Sequence, residues 1–458
     1  MASLDNALSY VDSERGRFLD ELKSFLRIPS VSTEPRYVAD VRRSAEFVAD
    51  DLRRMGMQQV EIWPTAGHPA VYAEWLGAPG QPTALVYGHY DVQPVDPENL
   101  WHSPPFEPTE RDGYLYARGA SDDKGQVHLH LKAVEAYLKT VGQLPINVKF
   151  IIEGEEEVGS AHLTDLIRAQ RERLRADFVV VSDGAMFDRG VPAICYGLRG
   201  LAYWQVDLQG ANSDLHSGVY GGSVANPIEV LAHMLAALKD DRGRVLVPGF
   251  YADVREITDQ ERAEFARLPF DETKFKRDLG VEELFGEVGY TTLERRWTRP
   301  TLEMNGIWGG FTGVGSKTVL PSRASAKISS RLVPDQDPER IGDQIEAYLR
   351  QICPRSVQMT FTRMTGAKPA ITPLDHPAVK AAARALERGF GIRPVYEREG
   401  GTIPVVATFA DELGAPSVLV GFGLNDDYLH APNERFLIEN YVGGIRTSVA
   451  LWAELARA

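Results

Sequence analysis

Residues 85–94 read LVYGHYDVQP, an apolar run that ends abruptly in His89 and Asp91. Two further apolar runs end the same way, KFIIEGEEE at residues 149–157 and VVVSD at residues 179–183. In open α/β sheets the carboxyl ends of the strands form the crevice where ligands bind, so these side chains can converge although they lie far apart in sequence. Carboxylates gathered in a crevice of lowered dielectric repel one another unless a positive charge lies between them, and a divalent metal is the obvious candidate. A histidine with carboxylates and no thiolates suits Zn²⁺ or Mn²⁺ better than copper or an iron–sulfur cluster. Taken alone, His89 and Asp91 are more often a surface turn than a metal site, and a charge run such as EGEEE is usually a solvated loop, although its position directly after KFII argues against that here.

The elements that would carry these groups are legible. ADVRRSAEFVADDLRRMG, residues 39–56, places Val41, Ala45, Val48, Leu52 and Met55 at helical spacing, with Gly56 as a stop. TALVYGH, INVKFIIEG and DFVVVSDG read as strands separated by helix-like stretches such as GQVHLHLKAVEAYLKTV. That alternation predicts an α/β fold with a mostly parallel sheet and helices on both faces. From about residue 200 the texture changes. LAYWQVDLQG, NPIEVLAHMLAALKD, TLEMNGIWGG, RASAKISSRLVP, DPERIGDQIEAYLRQI and SVQMTFTRM follow the order β-α-β-β-α-β of a ferredoxin-like α+β unit, with a polar stretch from 240 to 300 inside it. The α/β texture resumes near residue 373. The reading is therefore a catalytic domain over 1–198 and 373–458, interrupted by an inserted domain over 199–372.

A chain of 458 residues exceeds what one core usually organises, which agrees with two domains. The formal net charge of −14 argues against nucleic acid or an anionic membrane as the main partner and leaves small molecules or peptides. No apolar run reaches about 18 residues, and the polar N-terminus has no secretory pattern, so the expected location is cytoplasmic. Cys195 and Cys353 lie in no paired spacing and read as buried thiols. GGFTGVGSKT, residues 309–318, approaches a phosphate-binding loop, but Ser316 between Gly315 and Lys317 breaks the spacing.

The blocks GHYDVQP, YARGASDDKGQ, EGEEEVGS, VVSDGAM, DLHSGVYGG, REGGTIPV and LHAPNE together resemble the M20 family of dinuclear metallopeptidases over nearly the whole chain. The resemblance is closest to its cytosolic nonspecific dipeptidase and carnosinase branch, through DLHSGVYGG, SSRLVPDQDP and the long insertion. It implies two divalent ions per subunit, bridged by Asp122, with His89 and Asp183 completing one site and Glu157 and His430 the other. The Asp122–Asp123 peptide is expected to be cis, and Asp91 to orient the His89 imidazole. Asp122, Glu157 and Asp183 with a bridging hydroxide carry four negative charges, which two divalent cations balance. Glu156 is left as general base and later general acid. By the same resemblance His216 stabilises the oxyanion, reaching into a partner subunit of a homodimer formed through the inserted lid domain. Arg331 grips the substrate carboxylate, and Thr318 and Thr402 hydrogen-bond the peptide; the position of Thr402 is often Ser in this branch. His102, His128, His130, His233 and His376 match no block and are expected to be structural. The implied activity is hydrolysis of dipeptides or short peptides. An N-acyl-amino-acid deacylase, desuccinylase or carboxypeptidase of the same superfamily is the alternative, and a non-catalytic metal-binding scaffold stands behind both.

Overall fold

The computed structural model describes residues 2–457, which divide into two units. The first comprises the chain through Tyr196 together with Thr372–Glu397 and the stretch from Thr408 onward, and the second Gly197–Ile371 with Arg398–Ala407.

In the first unit the strands Gln59–Trp63, Ala70–Trp75, Asn147–Glu153, Thr83–His89, Phe178–Val181 and Ser417–Leu419 lie side by side in that order, with Ala193–Leu198 next. The central pairings, Thr83–His89 with both neighbours and Ser417–Leu419 with Phe178–Val181, are parallel, while the flanking ones are antiparallel. Alternate residues of Thr83–His89 bury on opposite sides: Ala84 and Val86 join the main core, while Leu85 and Tyr87 are equally enclosed on the other face, where Tyr87 meets Phe409 edge-on. Burial on both faces is why these strands read as continuous apolar runs. The register decides the chemistry. His89 pairs with Glu153, and Tyr87 pairs with Val181, so His89 and Asp183, each two residues further on, leave the sheet at the same end.

Helix Val38–Met55 stops at Gly56, whose φ of 105° belongs to the left-handed region that glycine accepts without a Cβ clash. Its buried residues include the five apolar positions that the spacing singled out. The first helix, Ala2–Leu26, was not foreseen, although Leu4, Ala7, Val11, Phe18, Leu22 and Phe25 line one apolar stripe.

The second unit contains an antiparallel sheet ordered Thr301–Gly309, Arg323–Leu332, Gly200–Gln209, Gln358–Ala367, with helices Pro227–Ala236 and Pro338–Ile352. By chain order of the strands this is two, three, one, four, the split β-α-β pattern of a ferredoxin-like unit. The polar stretch between 240 and 300 carries three short helices, Asp259–Phe265, Glu272–Leu279 and Thr292–Trp297. Thr258 with Glu261 and Thr291 with Glu294 form complete capping boxes at two of them. Arg398–Ala407, far along the chain, groups with this unit. Cys195 and Cys353 are only partly buried, not the buried thiols expected; Cys353 caps the end of helix Pro338–Ile352. Among the described residues no helix is long and apolar enough to cross a membrane.

Candidate metal centre

Asp122 follows a buried loop and precedes helix Lys124–Thr140; its peptide bond to Asp123 is cis. Its two carboxylate oxygens face different histidines. Oδ1 lies 3.2 Å from His89 Nε2 and Oδ2 lies 2.9 Å from His430 Nε2. Around it stand two groups of potential ligands, His89, Asp122 and Asp183, and Asp122, Glu157 and His430, each with its donor atoms within 4.8 Å of one another. His430 Nε2 is also 3.5 Å from Glu157 Oε2. The sequence-predicted ligands thus fall into two triads that share Asp122.

The His89 ring is fully enclosed, and its Nδ1 is 3.1 Å from the main-chain oxygen of Asp91 and 3.4 Å from Asp91 Oδ1. Nδ1–H donates to that carbonyl, which leaves the Nε2 lone pair directed at the cluster. Nε2 is buried with no well-aligned hydrogen-bond partner. The Asp91 carboxylate has a second task that the sequence did not reveal. Oδ1 accepts from the Glu156 N–H at 3.2 Å and Oδ2 from the Glu157 N–H at 3.1 Å, so it pins the acidic loop after strand Asn147–Glu153.

Electrostatically the cluster is short of positive charge. Burial and the charge of Asp122 push the Glu157 carboxyl up to about 8, and burial raises Glu156 as well. The hydrogen bond to Asp122 pushes His430 up to about 9. Burial opposes a charge on His89, yet the adjacent carboxylates of Asp122 and Asp91 prevail and raise it well above the usual histidine value. Burial likewise opposes the Asp122 carboxylate, but the two histidines hold it below the ordinary range. A site that draws protons onto its histidines and carboxyls is one that divalent cations would satisfy through the same atoms. The all-N/O donor set and the unpartnered His89 Nε2 fit such ions.

Several supporting residues escaped individual notice in the sequence. Glu434, fully buried, accepts from the N–H groups of Gly119, Ser121 and Asp122 at 2.9, 3.0 and 3.1 Å and from Arg118 Nη1 at 2.7 Å. Arg118 also reaches the carbonyls of Pro94 and Ala431. One carboxylate thus ties the loop of Asp122 to the loop of His430, in which Tyr428, His430 and Asn433 all have positive φ. Gln93 donates to Glu157 Oε2 at 2.7 Å. Buried Glu153, pushed up to about 8 chiefly by burial, accepts from Tyr87 and Ser160. Glu434, Arg118 and Gln93 lie inside the blocks LHAPNE, YARGASDDKGQ and GHYDVQP, which was the available signal.

The remaining site residues lie in the second unit, as two separate pairs. His216 and Thr318 flank a short antiparallel ribbon: His216 pairs with Val319, Thr318 accepts from the Ser217 N–H at 3.0 Å, and both side chains are exposed. Arg331 Nη1 donates to Thr402 Oγ1 at 2.8 Å, and Thr402 Oγ1 donates to the Arg199 carbonyl at 2.6 Å. Of the five histidines expected to be structural, His128 and His130 are buried and hydrogen-bonded to Tyr441, and to Ser448 and Ser182, while His376 caps a helix.

A mostly parallel α/β sheet whose strand ends and neighbouring loops gather two histidines and three carboxylates into paired, metal-competent triads fits a metallohydrolase centre. The model of Peptidase family M20/M25/M40 matches residues 85–454, and the chain belongs to that family: it is a metal-dependent hydrolase of peptide bonds. It is 34% identical over 473 residues to a Beta-Ala-His dipeptidase from Homo sapiens, covering 100% of this chain and 93% of that protein. It is 32% identical to a Cys-Gly metallodipeptidase from Schizosaccharomyces pombe, over 99% of this chain and 98% of that one. Among solved structures, an M20 family metallo-carboxypeptidase from Sulfolobus solfataricus superposes with a TM-score of 0.84 at 34% identity, over 96% of this chain and 99% of the other.

Proposed function

We propose that the chain is a dipeptidase that releases the N-terminal residue from dipeptides or short peptides at a centre of two divalent ions, Zn²⁺ or Mn²⁺. The observation that carries this reading is Asp122, whose two oxygens each serve a different ligand triad. His89, Asp122 and Asp183 would hold one ion and Asp122, Glu157 and His430 the other. Divalent metal bound there supplies Lewis acidity toward the scissile carbonyl and toward water.

Glu156 belongs to neither triad, yet its backbone is pinned by Asp91 beside Glu157. It accepts the proton of the attacking water and returns it to the leaving amine. Its proton affinity, raised by burial, suits a group that must both take and give a proton near neutral pH. His216 donates to the oxyanion, Arg331 holds the substrate carboxylate, and Thr402 and Thr318 hydrogen-bond the peptide. Support for a carboxylate-gripping role comes from Arg331 itself, which forms no ion pair with any described residue and is held in place by Thr402.

A homodimer through the second unit completes the reading. Met304, Ile307 and Trp308 are exposed on Thr301–Gly309, an edge strand of that unit's sheet, and an apolar edge of this kind calls for a covering partner. Mixing His216→Ala with Glu156→Ala subunits tests the sharing of His216: recovery of activity in proven heterodimers supports it, and continued inactivity rejects it.

The deciding experiment strips the protein with chelator, restores Zn²⁺ or Mn²⁺ separately, and compares free-amino dipeptides with their N-acetyl counterparts. Metal-dependent cleavage confined to the free dipeptides is expected; a preference for the acylated compounds overturns the dipeptidase reading in favour of a deacylase. The likeness to a metallo-carboxypeptidase favours one second reading, which rates on peptides of two to five residues would separate: a carboxypeptidase keeps its rate as the peptide lengthens and a dipeptidase loses it.

A further inference from the structure

The buried arginines of this protein face carboxylates. Arg118 pairs with Glu434, Arg299 with Glu287 and Arg398 with Glu261. That is the rule for a guanidinium removed from water. Arg199 and Arg331, both in the second unit and both partly buried, depart from it. Neither forms an ion pair with any described residue, and they meet on the same short loop. Arg199 Nε donates to the Gly400 carbonyl at 3.2 Å, and its Nη2 lies so close to Gly400 that a Cβ there would stand 2.8 Å away. Two residues on, Thr402 Oγ1 links the Arg199 carbonyl to Arg331 Nη1. Arg199 Nη1 is buried with no partner at all.

The surroundings do not neutralise the pair. Glu303, the one acid whose charge reaches Arg199, is itself 3.4 Å from Lys239 Nζ, and the charge of nearby Arg296 is met by Glu399. Burial, with Arg331 and Arg296 close by, lowers the Arg199 guanidinium to about 10. On a chain of net charge −14 this is a local excess of two positive charges. The two forks are also unequally free. Arg331 has committed only Nη1 and keeps an edge for bidentate contact with a carboxylate, whereas Arg199, with Nε bound and Nη2 against Gly400, offers the single buried Nη1.

We propose that Arg199 and Arg331 form a two-guanidinium pocket for a C-terminal residue with two carboxylates, Arg331 taking the α-carboxylate and Arg199 the side-chain carboxylate of Asp or Glu. The inference rests on the peptidase reading above and narrows it to peptides ending in an acidic residue. The test uses the metal-loaded protein and the isosteric pair alanyl-glutamate and alanyl-glutamine, which differ in one charge. Wild-type kcat/KM should favour alanyl-glutamate by about ten- to a hundredfold, the range of one charge-assisted hydrogen bond. Arg199→Gln should bring the ratio toward one, through a KM that rises further for alanyl-glutamate than for alanyl-glutamine. A wild-type ratio near one, or an equal fall on both peptides in the variant, overturns the pocket. Should Arg199→Gln melt below the assay temperature, Gly400→Ala takes its place, since its Cβ displaces the guanidinium, and must lower the same ratio. If the wild type cleaves neither peptide, the peptidase reading has failed, and calorimetric binding of free glutamate against free glutamine decides the pocket separately. Tighter glutamate binding that is lost in Arg199→Gln upholds it, and equal binding rejects it.

Discussion

His89 is fully enclosed and Asp122 nearly so, whereas His216 and Thr318 are exposed on a two-residue ribbon and Arg331 is half-buried. The first unit mounts its candidate ligands at strand ends and in the loops beside them and braces them from behind, Asp91 holding the Glu156–Glu157 backbone and Glu434 holding the Asp122 loop. The second unit carries its polar groups on ribbons and loops, each held by one or two hydrogen bonds. The proposed roles account for the contrast: metal coordination tolerates little positional error and needs a backbone fixed by packing, whereas substrate recognition must admit and release a ligand and needs groups near water. The contrast predicts that perturbations in the first unit act on turnover and metal affinity, and those in the second on KM.

The largest effect tests the reacting end of that contrast. Glu156→Gln should keep both metals by elemental analysis yet lose about a hundred- to ten-thousandfold in kcat, the usual worth of a positioned acid–base group. Retention of a tenth of the activity would remove Glu156 from that role. Next comes the bracing. Glu434→Gln loses the charge that Arg118 and three N–H groups converge on, and competitive metal titration should report affinity weakened by about ten- to a hundredfold. Unchanged affinity would mean that packing alone fixes the Asp122 loop.

In the second unit, Arg331→Lys keeps the charge and loses the planar fork, so KM for dipeptides should rise about tenfold. A fall in kcat alone would break the division of labour between the units. The smallest effect concerns acid stability. Burial holds His130 neutral, its value lowered to about 3 from 6.5, and buried His128 shifts the same way. Below about 6.5 the unfolded chain therefore binds protons that the native state refuses. The stability this provides is complete above that pH and declines as the pH falls toward 3. Urea melts between pH 7 and 5 should show the decline, and His130→Gln should make it shallower.

Much of the first unit was legible because burial writes itself into composition. Helix Val38–Met55 and the strands ending at His89, Glu153 and Val181 were visible as helical spacing and apolar runs. The three short helices between 240 and 300 were not seen, because their apolar stripes are brief and their signal lies in caps such as Thr258 with Glu261. Asp91 shows a subtler miss. Its proximity to His89 was plain from a two-residue spacing, but its grip on the Glu156 and Glu157 N–H groups spans 65 and 66 residues.

The sequence by itself determined which side chains are available and which elements carry them: apolar runs that must be buried, and histidines and carboxylates placed where those runs end. Only the tertiary structure decided which of them meet. The parallel register that sets Tyr87 beside Val181 brings His89 and Asp183 to one end of the sheet, and the loop fixed by Glu434 and Arg118 delivers His430 to the far oxygen of Asp122. Local patterning follows from the chemistry of neighbouring residues. Convergence across 308 positions, from Asp122 to His430, follows from strand order and packing, which no local spacing encodes.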